Sequence, residues 1–173
     1  MSRGRVLAYT ALTALAVIAI DQVVKALVRG DLAEGEHRDL VGAALRLVHV
    51  ENDGVAFGRL SGSPWLVALV VGGALVALLA YFATHLDVRG IWLPTGMLIG
   101  GAIGNVIDRV ARGAVTDYVK LPRWPAFNLA DAGITVGVIV LFVVVERDSR
   151  RRERAAEAAS AAGERGDGAP GPA

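Results

Sequence analysis

The sequence predicts an all-α membrane protein: a bundle of four transmembrane helices with short extended segments at one end and a charged tail. Hydrophobic residues make up 54% of the 173-residue chain and charged residues 20%, which is too apolar for an ordinary soluble domain. Four apolar stretches approach the roughly 20 residues that a helix needs to cross a bilayer. After Arg147 the apolar periodicity ends, and the chain continues in Arg, Glu, Ala, Gly and Pro.

The four predicted spans follow from apolar runs with few or no charges. Arg3 and Arg5 before the first run resemble the start of a secretory signal. The Ala-x-Ala site lies inside the apolar run, however, and the pattern continues past Asp21, so we expect an uncleaved helix. Gly113 is suited to cap the third span. The spans cover residues 6–28, 65–84, 91–112 and 128–145.

Two connections carry extended segments on the same side of the bundle. In the loop over residues 29–63, Leu45–Val50 alternates apolar and polar residues as a strand does, and Asn52-Asp53-Gly54 supplies a turn. In the connection over residues 113–127, the stretch AVTDYVKL predicts a second strand.

The chain divides into a membrane-embedded domain over residues 1–147 and a tail over residues 148–173. The tail predicts a charged helical extension that fades into disorder. Counting Lys and Arg does not decide the orientation, because the two sides of the predicted bundle tie. The dense arginines after the fourth span, together with Arg3 and Arg5, favour cytoplasmic termini.

Composition excludes several functions. The formal net charge of +1 does not indicate nucleic acid as a partner. The absence of cysteine excludes disulfides, thiolate metal sites and a cysteine nucleophile. His37, His49 and His85 lack the spacing of a helical metal site, so neither a metal nor another cofactor is expected.

Glycines recur every fourth residue in two of the spans. Gly96, Gly100 and Gly104 lie in the third span, and Gly133 and Gly137 lie in the fourth. Such spacing allows transmembrane helices to pack closely. We expect the two glycine faces to be packing surfaces, with each other as the plausible partners.

Polar residues collect at one end of the predicted bundle, where each needs a reason because burying it in a membrane is costly. Two carboxylates have a basic residue four positions later, as in a helical ion pair: Asp21 with Lys25, and Asp108 with Arg112. These spacings favour structural roles. The complete set at this end is Asp21, Lys25, Asn52, Asn105, Asp108, Arg109, Asp117, Asn128 and Asp131.

Asp117 and Asp131 have different expected surroundings. In an extended segment Asp117 shares a face with Val115 and Val119, so an unpaired carboxylate there should have a raised pKa. The alternative is a loop acid in water. Asn128 and Asp131 have the spacing of a capping box, and a helix start stabilises an anion. Capping alone would also explain Asp131.

Two carboxylates in unlike surroundings suit general acid–base hydrolysis, with one accepting a proton from water and the other donating to the scissile carbonyl. Spacing alone leaves Asp108 a rival for the pair. A transporter or binding subunit is another possibility, but an ion pathway needs polar groups at several depths. The end-of-helix placement also argues against a protease with aspartates deep in the bilayer.

At these residues the sequence resembles the bacterial lipoprotein signal peptidases (type II signal peptidases). Each motif is weak alone, but all five occur in order over roughly residues 5–147. They are Asp21-Gln22-x-x-Lys25, Asn52-x-Gly54-x-Ala56-Phe57, Gly100-Gly101-Ala102-Ile103-Gly104-Asn105-x-x-Asp108-Arg109, Val115-x-Asp117-Tyr118 and Phe127-Asn128-x-Ala130-Asp131.

The resemblance implies a fold of four transmembrane helices with a small extracytoplasmic β-cradle and both termini cytoplasmic. The tail after Arg147 lies outside the resemblance; with the C-terminus inside, we expect a disordered cytoplasmic tail. It implies an aspartic endopeptidase of the bacterial cell membrane with Asp117 and Asp131 as the catalytic pair. Other matched positions would bind substrate or support the site: Asn52, Asn105, Arg109 and Asn128 in the first role, Asp21, Lys25 and Asp108 in the second, and Gly54 in one of the two.

The resemblance also implies the partners. The substrate would be a prolipoprotein whose cysteine already carries diacylglycerol, cut just before that cysteine. Membrane lipids would surround the enzyme, and globomycin would be the expected inhibitor.

Overall fold

A computed structural model describes residues 1–53, 73, 76–78 and 80–167, with residues 161–167 described at the level of the backbone. Of the second predicted span, residues 73, 76–78 and 80–84 are described and helical, and the rest lies outside the described residues. The elements are α1 (Arg3–Asp31), β1 (His37–Val41), β2 (Leu45–Asn52), α2 (Trp92–Arg112), β3 (Val115–Lys120) and α3 (Leu129–Asp167).

Two of these helices are long and apolar enough to cross a membrane. They are α1, which contains an 18-residue stretch with a mean hydropathy of 1.9, and the segment Leu129–Ser160 of α3, which contains one with a mean hydropathy of 2.2. Their outward faces expose large apolar side chains, including Leu12 at 61% and Phe142 at 72%. An apolar surface of this kind suits contact with lipid rather than water. The predicted count of four spanning helices stays a prediction, because α2 is not among the helices that are apolar enough and most of the second predicted span lies outside the described residues.

The glycine face of α2 packs against α1, where the sequence suggested the fourth span. The glycine face of the fourth span does meet α2 as expected, since a Cβ on Gly137 would lie 3.0 Å from Leu98. A Cβ on Gly96 would lie 2.5 Å from the Cβ of Thr13, and one on Gly100 would lie 2.7 Å from the carbonyl oxygen of Ala14. The opposite side of α2 meets α3, where a Cβ on Gly101 would lie 2.5 Å from the carbonyl oxygen of Ala130. α2 therefore packs between α1 and α3, and its glycines lie directly against the backbone of both neighbouring helices.

Replacing Gly96 by alanine should therefore destabilise the bundle. The new methyl group would meet both the Thr13 side chain and the backbone of Thr10, at 2.8 Å from its carbonyl oxygen. Overpacking typically costs about 1–3 kcal/mol. Gly133→Ala is the matched control, since its Cβ would lie 3.5 Å from Val17 in ordinary contact. Thermal unfolding in detergent should show a lower Tm for Gly96→Ala alone. Equal Tm values for both variants and the wild type would contradict the close packing of α2 against α1.

A three-stranded antiparallel sheet, in the order β1-β2-β3, lies at the end of the bundle where the polar residues collect. Both predicted strands are present, and β2 extends two residues further than expected, to Asn52. Val50 pairs with Asp117 and Asn52 pairs with Val115. Asn52 is therefore diagonal to Asp117, a separation that a polar side chain can bridge.

The helix ends near the sheet follow the sequence. Gly113 ends α2 in a left-handed conformation with φ 84°, and its N–H donates to the carbonyl oxygen of Arg109 at 3.0 Å. α3 begins at Leu129, so Asn128 is its N-cap as expected.

The C-terminal helix continues well beyond the apolar run. Its charged part is supported by pairs four residues apart, Glu146 with Arg150 at 2.7 Å and Asp148 with Arg152 at 2.6 Å. The structure thus gives helix as far as Asp167, where the sequence predicted a helical extension fading into disorder. Residues 168–173 lie outside the described part, and the division into a domain over residues 1–147 and a tail over residues 148–173 stays a prediction.

Candidate active site

Lys25 is the centre of a buried charge network between α1 and α2. Its side chain is fully buried, and its Nζ lies 2.8 Å from Asp21, 2.8 Å from Asp108 and 2.9 Å from the side-chain oxygen of Asn105. An ammonium group has three N–H donors, so all three are used. The predicted Asp21–Lys25 pair is confirmed. Because Lys25 is neutralised from both sides, it holds the two helices together at this level.

Asp108 is saturated by structural contacts. Besides Lys25 it accepts hydrogen bonds from the backbone N–H of Thr116 at 3.3 Å and the side chain of Gln22 at 3.3 Å, and Arg29 approaches to 3.9 Å. The predicted partner Arg112 was wrong: that side chain is exposed and makes no pair with Asp108. Asp108 points instead at α1, so a cation from another helix replaces the local one.

The N-terminus of α3 has its backbone donors satisfied by side chains from other elements. The N–H of Leu129 donates to the Tyr118 hydroxyl at 3.0 Å, and the N–H of Ala130 donates to Asp21 at 3.0 Å. The first N–H groups of a helix have no intrahelical partner, so each contact gives one of these N–H groups a hydrogen-bond acceptor. Asp21 thereby links Lys25 on α1 to the start of α3.

The predicted capping box at this helix start is confirmed. The N–H of Asp131 donates to the side-chain oxygen of Asn128 at 2.9 Å, and the N–H of Asn128 donates back to Asp131 at 3.3 Å. The Asp131 carboxylate is therefore fixed at the positive end of the helix dipole. It remains partly exposed.

Asp117 is a buried carboxylate held by amides. It is 2% exposed, so the alternative of a loop acid in water was wrong. It is also not without partners, because Asn52 donates to it at 2.9 Å and Asn128 at 2.8 Å. Burial raises its pKa from the ordinary 3.8 to about 6; the charge of Asp131 acts in the same direction, and the two amide hydrogen bonds oppose it. The expected raised pKa is confirmed.

Both faces of β3 are covered at this point, which the alternation in the sequence did not predict. The four residues from Val115 to Tyr118 are all buried. On the face away from Asp117, the Thr116 hydroxyl accepts from Arg29 at 2.9 Å and donates to Glu51 at 3.0 Å.

Two asparagines connect the carboxylates, and their amide orientations are determined by their neighbours. The oxygen of Asn105 must face Lys25, which can only donate, so its nitrogen donates to Asp131 at 2.7 Å. The oxygen of Asn128 must face the N–H of Asp131, so its nitrogen donates to Asp117 at 2.8 Å and to Asn105 at 3.1 Å. Asp117 and Asp131 thus belong to one hydrogen-bond network.

Comparison with known proteins agrees with this geometry. A family model described as signal peptidase (SPase) II matches residues 13–146, which include every described member of the site. The chain belongs to the signal peptidase II family. It is similar to proteins named lipoprotein signal peptidase, at 39% identity to that of Syntrophomonas wolfei over 81% of this chain and 94% of the relative. For the relative in Bacillus subtilis the identity is 31%, over 82% of this chain and 95% of the relative.

Solved structures of bacterial membrane enzymes share the fold. One, at 2.3 Å resolution, has a TM-score of 0.72 and 29% identity, over 81% of this chain and 88% of that chain. Another, at 1.9 Å resolution, has a TM-score of 0.70 and 29% identity, over 79% of this chain and 91% of that chain.

Two further residues were expected from the signal peptidase II resemblance to bind substrate or support the site, and the structure describes one of them. Arg109 is half-buried and its guanidinium donates to the carbonyl oxygen of Asn105 at 3.4 Å; among the described residues it has no other hydrogen-bond partner. Gly54 lies outside the described residues.

Sequence reasoning gave no role to several side chains that complete the site. Gln22 and Arg29 contact Asp108, and Thr116 is bonded to Glu51, whose carboxylate also meets His49 at 2.9 Å. Gln22 lies one residue after Asp21, and Arg29 lies one helical turn after Lys25. These positions on α1, next to residues already predicted to belong to the site, were the signal in the sequence that could have identified Gln22 and Arg29.

Metal ligands were not expected from the sequence. Over the part of the chain that the structure describes, no three histidine or carboxylate side chains come together as a metal site would require. Independence from metals stays a prediction.

Proposed function

We propose that this chain is an aspartic endopeptidase that removes the signal peptide from diacylglyceryl-modified prolipoproteins, cutting just before the lipid-bearing cysteine. Membership of the signal peptidase II family supports proteolysis, and relatives at 39% identity carry the name lipoprotein signal peptidase. The catalytic type is inferred from the side chains themselves.

The observation that carries the proposal is how the four aspartates of this site are partnered. Asp21 and Asp108 are each 2.8 Å from Lys25. Asp117 and Asp131 form no ion pair with any residue in the described ranges and are bonded to amides and backbone N–H groups instead. A carboxylate neutralised by a fixed cation is a poor proton carrier, whereas one held by amides can exchange its proton. This difference favours Asp117 over its rival Asp108.

In the proposed mechanism, Asp131 is the general base and Asp117 the general acid. The Asp131 carboxylate, fixed at the start of α3 by the capping box, accepts a proton from the attacking water. Asp117, partly desolvated, enters protonated and donates a hydrogen bond to the scissile carbonyl. As the tetrahedral intermediate collapses and the C–N bond breaks, Asp131 passes the proton taken from water to the leaving amine, which restores both carboxyl groups to their starting states. The charge of Asp131 helps to keep the proton on Asp117, because it raises the pKa of that carboxyl. Asn52, Asn105 and Asn128 would orient the two carboxyl groups.

The substrate would reach the site from the membrane. The free donors of Arg109 would hold the substrate backbone, and the lipid on its cysteine would stay in the bilayer while the scissile bond meets water. We place this end of the bundle at the extracytoplasmic face of the bacterial cell membrane and both termini in the cytoplasm. Globomycin would compete for the same site.

A direct assay tests the proposal. The purified full-length protein should convert a lipidated prolipoprotein to a shorter product by the mass of the signal peptide, and should leave the unlipidated precursor intact. Cleavage should persist in a metal chelator, because carboxylates alone activate the water. Loss of cleavage in chelator that zinc restores would contradict an aspartic mechanism, and failure on the lipidated substrate would contradict the function.

The pH profile should report the proton on Asp117. A catalytic carboxyl that must be protonated loses its proton as the pH rises through its pKa. For Asp117 that pKa is about 6, so kcat/KM should fall about tenfold per pH unit above pH 6. The hydrogen bond from Asn52 lowers that pKa. Asn52→Ala should therefore raise the pKa and move the falling limb to higher pH. A limb that moves to lower pH in Asn52→Ala would contradict the assignment of the proton.

A further inference from the structure

A groove lies at the end of α3 that is far from Asp131. From Asp131 to Arg147 and Arg151 the helix is about 24 and 30 Å long, at a rise of about 1.5 Å per residue. The hydrocarbon core of a bilayer is about 30 Å thick. If Asp131 lies at one membrane boundary, these two arginines lie at the other.

The groove is apolar along its floor and basic at its rim. It has a volume of about 550 Å³ and lies between the start of α2 and the middle of α3. Its floor includes Leu93, Ile139 and Val143, and its rim carries Arg89, Arg147 and Arg151. We call it the arginine groove.

The three rim arginines are uncompensated, whereas the neighbouring arginines are paired. Arg150 bonds Glu146 at 2.7 Å. Arg152 bonds both Asp148, the acid that lines the groove, at 2.6 Å and Asp87 at 2.7 Å. The rim arginines are exposed and make no ion pair or hydrogen bond to a described residue.

This arrangement favours a bound anion. Arg147 and Arg151 are four residues apart on one helix face, where like charges repel. Arg89 adds a third positive charge from the loop before α2. Guanidinium groups bind phosphate oxygens in pairs, with more geometric specificity than ammonium groups.

We infer that the arginine groove binds an anionic phospholipid, with the phosphate at Arg89, Arg147 and Arg151 and an acyl chain along Leu93, Ile139 and Val143. Trp92 also lines the groove, and its ring lies 5.5 Å from that of Tyr9. Paired aromatic rings at this depth are typical of a membrane boundary. A free phosphate would satisfy the rim but leave the apolar floor uncovered, so the groove selects the lipid.

Native mass spectrometry of the full-length protein in neutral detergent tests this inference. Phosphatidylglycerol is added in one arm and phosphatidylcholine in the other. Each arginine near an anionic headgroup adds roughly fivefold to binding. We expect the wild type to retain phosphatidylglycerol at least about tenfold better, and the variant Arg89→Gln/Arg147→Gln/Arg151→Gln to lose this preference.

A matched variant separates the groove from general surface charge. Arg3→Gln/Arg5→Gln/Arg154→Gln removes the same charge from residues outside the groove lining and should keep the preference. Val143→Trp keeps all three arginines but fills the floor, and should lower retention of the lipid. Equal loss in the matched variant, full retention in the groove variant, or displacement of the lipid by inorganic phosphate would each overturn the inference. Tm values close to that of the wild type would confirm that the variants are folded.

Discussion

Asp117→Asn is expected to lower kcat by at least about 10²-fold while leaving a folded protein, and Asp131→Asn is expected to do the same. Asparagine nearly matches the shape of aspartate but cannot take up or release a proton, and general acid–base catalysis contributes typically about 10²–10⁴-fold. Single-turnover cleavage of a lipidated prolipoprotein measures the effect on chemistry rather than on product release.

Two other aspartates serve as controls for these variants. Asp39 on β1 is half exposed and paired with Arg46 on the surface, so Asp39→Asn should cleave at the wild-type rate. Asp108→Asn should lower the Tm and retain some cleavage, since Asp108 acts through Lys25. A folded Asp108→Asn enzyme without activity, together with an active Asp117→Asn enzyme, would move the catalytic pair to Asp108 and Asp131.

Local patterns in the sequence were enough to predict the parts of the site that depend on neighbours along the chain. The Asp21–Lys25 pair and the Asn128–Asp131 capping box are both contacts within a turn or two of one helix. The strand around Asp117 followed from residue type and alternation. These features are governed by backbone geometry, so a single sequence carries them.

Contacts between elements could not be predicted in the same way. Asp108 has Arg112 at helical spacing, but the rotation of α2 turns Asp108 toward Lys25 and leaves Arg112 exposed. The glycine face of α2 was recognised, yet its partner α1 was not, because spacing defines a close-packing face without identifying the opposite surface. The strand β1 was missed, since all five of its residues are exposed and give no alternation.

Lys25→Met is expected to destabilise the protein by about 3–5 kcal/mol, the typical cost of leaving a buried charge without its partner. Methionine fills a similar volume but donates no hydrogen bond. The variant would leave Asp21 without its cation and Asp108 with only the more distant Arg29, and the oxygen of Asn105 would lose a donor.

The effect of Lys25→Met can be separated from simple loss of charge. Arg38→Met removes a cation from an exposed pair with Asp31, which contributes at most about 1 kcal/mol, so its Tm should barely change. Replacing all three charges in Lys25→Met/Asp21→Asn/Asp108→Asn removes the unpaired carboxylates as well and should recover part of the Tm lost in Lys25→Met. If the triple variant is less stable than Lys25→Met, the cost lies in lost hydrogen bonds to α3 and Thr116 rather than in uncompensated charge. A Lys25→Met Tm equal to that of the wild type would mean that the lysine does not hold α1 and α2 together.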